Sequence, residues 1–209
     1  MLQMVWSMKL ANRARILNCQ TRLKFGGKPL PFLLFMTDET RMNDPIPAIK
    51  MLPRGAGVIL RHYDLPKREA LARELLTICR LRGLVLLIAG DLKLAKRLGC
   101  GAHLPEGLAR KLPSSPAGFI KDHLLTVAAH SPRAIAKAKM LNADALLLSP
   151  VFPTRSHPGA KTVGASQFRL WISRGRVPAY ALGGVDITTS RTICVDGVAG
   201  FAGISGLLD

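Results

Sequence analysis

The sequence predicts a single α/β domain built as a (β/α)8 TIM barrel, and three observations carry that expectation. Short apolar runs alternate with helix-like segments from Pro31 onward, and strict alternation of this kind means a parallel sheet. The runs are nearly continuously apolar, as strands covered on both faces must be. Eight of them can be counted, which favours a closed barrel over an open doubly wound sheet.

The elements follow in order. Phe32–Met36 is the first strand, ended by Thr37-Asp38-Glu39, and a helix-like stretch spans Pro45–Leu52. Gly57–Leu60 is the second strand. Asp64 and Pro66 open a helix over Lys67–Arg82, with Leu71, Leu75, Ile78 and Cys79 on one face and Gly83 as its stop. Leu84–Ile88 is the third strand. Asp91 caps a helix running to Leu98, and Gly99 ends it before the strand Gly101–Leu104. Pro105–Gly118, rich in Pro and Ser, reads as an irregular connection. Leu124–Ala128 is the fifth strand, and Ser131-Pro132 supplies N-cap and N1 for the helix Arg133–Leu141. Ala145–Leu148 is the sixth strand, Gln167–Ser173 a short helix, Ala179–Leu182 the seventh strand and Gly197–Ala202 the eighth. The last helix is expected to be short or absent.

Composition bounds the function. With 209 residues and 48% hydrophobic content, one core and one domain over 31–209 are expected. Residues 1–30 read as a basic N-terminal extension, carrying Lys9, Arg13, Arg15, Arg22, Lys24 and Lys28 with no acidic residue before Asp38. A targeting leader, a basic arm and a start at Met8 all fit this segment. The net charge of +17 implies a field that attracts phosphates or nucleic acid. The basic segment has no recognisable reading motif, so nucleic acid ranks below a small phosphorylated ligand as partner. Cys19, Cys79, Cys100 and Cys194 make no CxxC pair, which points to a reducing, cytoplasmic setting. No apolar run approaches the roughly 18 residues that span a bilayer.

The candidate site lies at the strand ends. Leu146–Leu148 runs into Ser149-Pro150-Val151-Phe152-Pro153-Thr154-Arg155-Ser156-His157, a rigid loop with hydroxyl and basic groups where barrels bind ligands. Gly183-Gly184 and Gly203 close the last two strands, where barrels form a phosphate cup; Ser205 or the Ala202 amide would add a donor. The same glycines also suit tight turns. His130 follows the fifth strand and is placed to act as general acid or base. The other reading of a lone histidine here is structural, with its ring bonded to a neighbouring carbonyl, and it applies to His157 as well. Arg61, ending the second strand, is a candidate either to clamp an anion or to pair with an acidic residue across the barrel mouth. His62, His103 and His123 read as structural, and no histidine pair has metal-ligand spacing.

Ser149-Pro150-Val151-Phe152-Pro153-Thr154, Ala181-Leu182-Gly183-Gly184-Val185 and Asp196-Gly197-Val198-Ala199 together resemble the thiamine phosphate synthase/TenI family. Met36-Thr37-Asp38, Leu60-Arg61, Ala102-His103-Leu104 and Ala129-His130-Ser131 fit the same family in order. The resemblance implies a barrel, usually a homodimer, acting in thiamine biosynthesis or salvage. It implies contacts from Thr154 and Ser156 to a thiazole phosphate, whose phosphate Gly184 and the eighth loop would hold. It also places His130 where TenI-type tautomerases carry their histidine.

Departures accompany the match. Synthases carry Gln-Leu-Arg-Glu-Lys on the second strand, and here it reads Ile59-Leu60-Arg61-His62-Tyr63. The Asn-Asp after the third strand is Ala89-Gly90, the acidic ligand after the fourth falls at Leu108, and the lysine after the Pro-Thr loop is His157. No cofactor is expected, and magnesium only if Asp91 or Glu106 stands in for the missing carboxylates. The expectation is therefore a diverged transferase or isomerase, either a TenI-like tautomerase or a weakened synthase. A non-catalytic phosphate-binding or regulatory barrel with a basic contact surface is the alternative.

Overall fold

The computed structural model describes residues 8–116, 122–154 and 159–204. Eight parallel strands pair in chain order and close on themselves: β1 Leu33–Met36, β2 Gly57–Leu60, β3 Val85–Ala89, β4 Gly101–Leu104, β5 Leu125–Ala129, β6 Ala145–Leu148, β7 Ala179–Leu182 and β8 Val198–Gly203. The helices are α1 Met8–Phe25, α2 Ile46–Lys50, α3 Arg68–Arg82, α4 Leu92–Leu98, α5 Glu106–Lys111, α6 Pro132–Met140 and α7 Ala165–Gly175, with a 3₁₀ turn at Thr189–Ile193. The barrel expectation holds, with strand bounds moving by a residue or so.

Alternation along each strand divides the core in two. One set of side chains, including Phe35, Val58, Leu60, Ile88, Leu104 and Phe201, packs outward beneath the helices. The other, including Leu34, Met36, Ile59, Leu87, Ala89, Leu147, Tyr180 and Ala202, fills the barrel interior. Register fixes who meets whom: Met36 stands opposite Ile59, Ile59 opposite Leu87, Ala89 opposite His103, and His103 opposite Thr126. His103 and Thr126 are thus interior groups, buried and joined by a 2.9 Å hydrogen bond. A hydrogen-bonded pair is how an apolar core tolerates polar groups.

The predicted helix ends are mostly present. Asp91 accepts a hydrogen bond from the Leu94 amide at 2.8 Å, and Ser131 accepts one from the Ala134 amide at 3.2 Å. Gly83 and Gly99 close their helices in the left-handed conformation. Two expectations need correction. Asp64 caps nothing: α3 starts at Arg68 behind Lys67, without a side-chain cap. The Pro105–Gly118 connection is not wholly irregular, because α5 occupies Glu106–Lys111 behind Pro105.

Within the basic N-terminal segment, Met8–Phe25 forms a helix docked on the barrel. Leu10, Ala11, Ala14, Leu17 and Thr21 recur at helical spacing, are buried, and belong to or adjoin the outer core. α1 packs on β8, the place a helix following the eighth strand would take in regular alternation. Its polar groups meet strand carbonyls: Thr21 Oγ1 donates to Val198 O at 2.8 Å and Asn18 Nδ2 to Ala199 O at 2.7 Å. Several of its cations serve the same docking. Arg13 donates to Ile187 O at 2.7 Å, the Arg15 guanidinium lies 4.5 Å from the Phe32 ring centroid, and Lys28 donates to His123 O at 2.6 Å while pairing with Asp144. Thr21→Val keeps the shape and removes the buried donor, so it should lower stability by about 1–2 kcal/mol. Urea unfolding should show a lower midpoint with unchanged slope.

Candidate functional site

The mouth of the barrel lies at the C-terminal ends of the strands, and alternation decides which side chains face it. Counting on from interior Met36, Ile59, Thr126 and Leu147 by twos brings Asp38, Arg61, His130 and Ser149 to the rim. Asp38 and Arg61 sit beside each other, with Oδ2 and Nη1 3.9 Å apart. Burial works to raise the Asp38 carboxyl. The Thr40 hydroxyl and amide, with Arg61 and Arg41, outweigh it and hold the group below its ordinary range. The candidate anion clamp Arg61 is therefore partly occupied by its own acidic neighbour.

The wall formed by β1, β2 and β3 is knitted to itself. Thr37 Oγ1 accepts from the Arg61 amide at 2.9 Å and meets His62 Nδ1 at 2.9 Å. His62 is buried, as its structural reading expects, and its Nε2 has no partner. Arg68, at the first residue of α3, has a charge opposed to the helix dipole. Its guanidinium reaches back instead to the carbonyls of Leu60 (3.3 Å) and Ala89 (2.5 Å), with Tyr63 stacked 5.4 Å away. Gly90 has positive φ, and the Tyr63 ring lies where its Cβ would point. The stretch where the family carries Asn-Asp is thus roofed by an arginine and a tyrosine.

These residues do not fit a magnesium ion. Asp91 is committed to capping α4, and Glu106 Oε2 accepts the His130 amide at 2.9 Å. Among the described residues, no group of three His, Cys, Asp or Glu side chains converges as a cation site. The two conditional stand-ins, Asp91 and Glu106, each give one carboxylate oxygen to a backbone amide.

The opposite wall is different in kind. His130 is exposed, and its Nδ1 lies 2.5 Å from the Ser149 carbonyl and 3.4 Å from Ser149 Oγ. A carbonyl only accepts, so Nδ1 carries the hydrogen and Nε2 is left as the basic nitrogen. Next to it, the Pro150–Thr154 loop is clamped to the loop after β7: the Val151 amide donates to Leu182 O at 2.9 Å and the Phe152 amide to Gly183 O at 3.0 Å. Gly183 and Gly184 both have positive φ, +91° and +64°. A Cβ on Gly184 would run into the Pro153 carbonyl oxygen and Phe152. The tight-turn reading of this pair therefore has a definite cause, the close approach of two loops.

The predicted site residues distribute as follows. Arg61, His130, Gly183 and Gly184 come to the rim; Thr154 is half-buried beside the Gly184 loop, and Ala202 and Gly203 are buried at the end of β8. Ser156, His157 and Ser205 lie outside the described residues. Sequence reasoning missed Ser149 as the acceptor that orients His130, and Glu106 as the brace of the His130 backbone. It also missed Arg68, although a cation opening a helix was a visible signal.

Two outcomes test this geometry. Burial, with Arg61 adding to it, lowers the His103 pKa to about 3. The unfolded chain then binds a proton below pH ~6.5 that the native protein does not, so stability is full above that pH and falls towards pH 3. The slope should approach ~1.4 kcal/mol per pH unit, and His103→Asn should flatten that component of urea-unfolding curves taken between pH 7.5 and 4. Separately, Gly184→Ala should lower stability by roughly 2 kcal/mol or more by forcing the two loops apart, read as a lower urea-unfolding midpoint.

Known proteins match this chain. The family model described as thiamine monophosphate synthase matches residues 34–207. A putative thiamine-phosphate synthase 2 of Aquifex aeolicus is 30% identical over 187 residues, covering 86% of this chain and 99% of that protein. A thiamine-phosphate synthase of Thioalkalivibrio sulfidiphilus is 26% identical over 162 residues, covering 74% of this chain and 75% of the other. In structure, a thiamine phosphate pyrophosphorylase from Pyrococcus furiosus superposes with a TM-score of 0.68 at 20% identity, covering 90% of this chain and 88% of that one. The barrel with its Pro-Val-Phe-Pro-Thr loop clamped to a Gly-Gly turn thus belongs to a chain of the thiamine monophosphate synthase family.

Proposed function

We propose that the protein binds a thiazole phosphate-like ligand at the barrel mouth and moves a proton on it, as a TenI-like tautomerase of thiamine biosynthesis. The observation that carries this reading is the state of His130: Nδ1 is held by the Ser149 carbonyl and Nε2 is left basic. A histidine with a fixed tautomer at an open rim is suited to take a proton from one ring position and return it to another. The ligand phosphate would lie against the Gly183-Gly184 and Gly203 loops, with Thr154 and Ser156 on the ring and Arg61 adding positive charge.

The weakened-synthase alternative needs a pyrophosphate to leave, and that charge has to be neutralised as it develops. The β1–β3 wall spends Asp38, Asp91 and Arg68 on the protein itself. The tautomerase reading is therefore preferred.

Titration calorimetry with thiazole phosphate should show binding that is the same with magnesium and with EDTA. Titration with the pyrimidine pyrophosphate should show weak or no binding. If neither compound binds, the reading fails; if magnesium creates tight pyrophosphate binding, the synthase is restored. His130→Ala should lower tautomerisation by about 10²-fold or more while ligand affinity is kept. Unchanged turnover would remove His130 from the mechanism.

A further inference from the structure

A second cationic recess lies outside the barrel mouth, on the flank where α1 meets the turn after β7. It is an open depression of about 580 Å³ lined by Lys9, Asn12, Arg13 and Ile16 from α1 and by Ile187 and Arg191 from the turn, among others. Among the described residues, no carboxylate lines it. The nearby acids are turned to other work: Asp186 accepts the Thr188 and Thr189 amides and the Thr189 hydroxyl, and Asp196 pairs with Lys24. Among the described residues, Lys9 and Arg191 form no ion pair. Arg13 is already oriented, since its Nη1 donates to Ile187 O and to Ser190 Oγ at 2.5 Å. Three cations from two elements thus converge on an uncompensated recess, one of them immobilised before any ligand arrives.

We infer that this recess is a second ligand site, distinct from the mouth, for a small organic phosphate. The volume falls in the range of small-molecule sites, about 300–1,000 Å³. The isoleucines Ile16 and Ile187 give it an apolar side, suited to a ring, while Lys9, Arg13 and Arg191 suit a phosphate. A nucleic-acid backbone would need a long cationic track. α1 offers a broken one, because Arg15 lies against Phe32 and Lys24 pairs with Asp196, which leaves Arg22 apart from the recess cations.

The probe is 1-naphthyl phosphate, followed by amide chemical shifts of the full chain, with 1-naphthol and a 20-base-pair DNA duplex as comparisons. Shifts should cluster at Arg13, Ile187, Ser190 and Arg191 and persist when thiazole phosphate is present. Naphthol should bind at least about tenfold more weakly, and Lys9→Ala with Arg191→Ala together should weaken the phosphate probe by about tenfold or more. Both side chains are exposed, so thermal stability should not change. Displacement of the probe by thiazole phosphate, equal binding of naphthol, or an unaltered affinity in the double variant would each overturn the site. Tighter binding of the duplex than of the probe, lost in the same variant, would overturn the small-ligand assignment.

Discussion

The rest of the structure depends on the seam between β8 and β1, because a parallel sheet becomes a barrel only when its last strand finds its first. The seam works at very close quarters. Gly200 has a φ of +147°, and the Phe32 carbonyl occupies the place where any side chain would start. The Tyr180 hydroxyl reaches the Pro31 carbonyl from inside the barrel, and burial raises the phenol well above its ordinary pKa, so it stays a neutral donor. Outside, α1 lays Thr21 and Asn18 on the carbonyls of Val198 and Ala199. What composition reads as a basic appendage is thus part of barrel closure. Three of the helix's cations, Arg13, Arg15 and Lys24, meet a carbonyl, a ring and a carboxylate of the barrel rather than one another.

Much of the fold was legible in the chain because strands buried on both faces leave continuous apolar runs, and because Asp91, Ser131, Gly83 and Gly99 act locally. α1 was not legible as a docked helix. Its buried face is made of alanines and a threonine as much as leucines, so the apolar stripe is faint among the lysines and arginines. Asp64 misled for a related reason: an aspartate before a proline resembles a helix opening, yet the helix begins four residues later, where Arg68 has carbonyls to reach. Cap motifs are local signals, and a tertiary contact outweighs them.

The site was legible in its residues and illegible in its connections. The Pro-Val-Phe-Pro-Thr loop, His130 and the glycine pair stand out in one dimension. That Ser149 orients His130 and that Glu106 holds its backbone depends on which strand ends become neighbours, which only closure decides. The double meaning of Gly183-Gly184 resolves the same way. Their backbone freedom is required by the loop lying on them, whatever else the turn binds.

The two walls of the mouth therefore differ by what their polar groups are already doing. On the β1–β3 side, Asp38 faces Arg61, Asp91 caps a helix, Arg68 holds two strand carbonyls and Thr37 joins His62 to the Arg61 amide. Most of these groups already bond within the protein, so a ligand there would have to compete with existing bonds, although among the described residues His62 Nε2 and Arg68 Nε keep no partner. On the β5–β6 side, the bonds that exist orient His130 and leave a ring nitrogen unspent. A polar group satisfied within the fold contributes stability, and one held in place but left with capacity can act on a substrate. By that criterion the proposed chemistry draws on the β5–β6 side, where His130 and Ser149 meet.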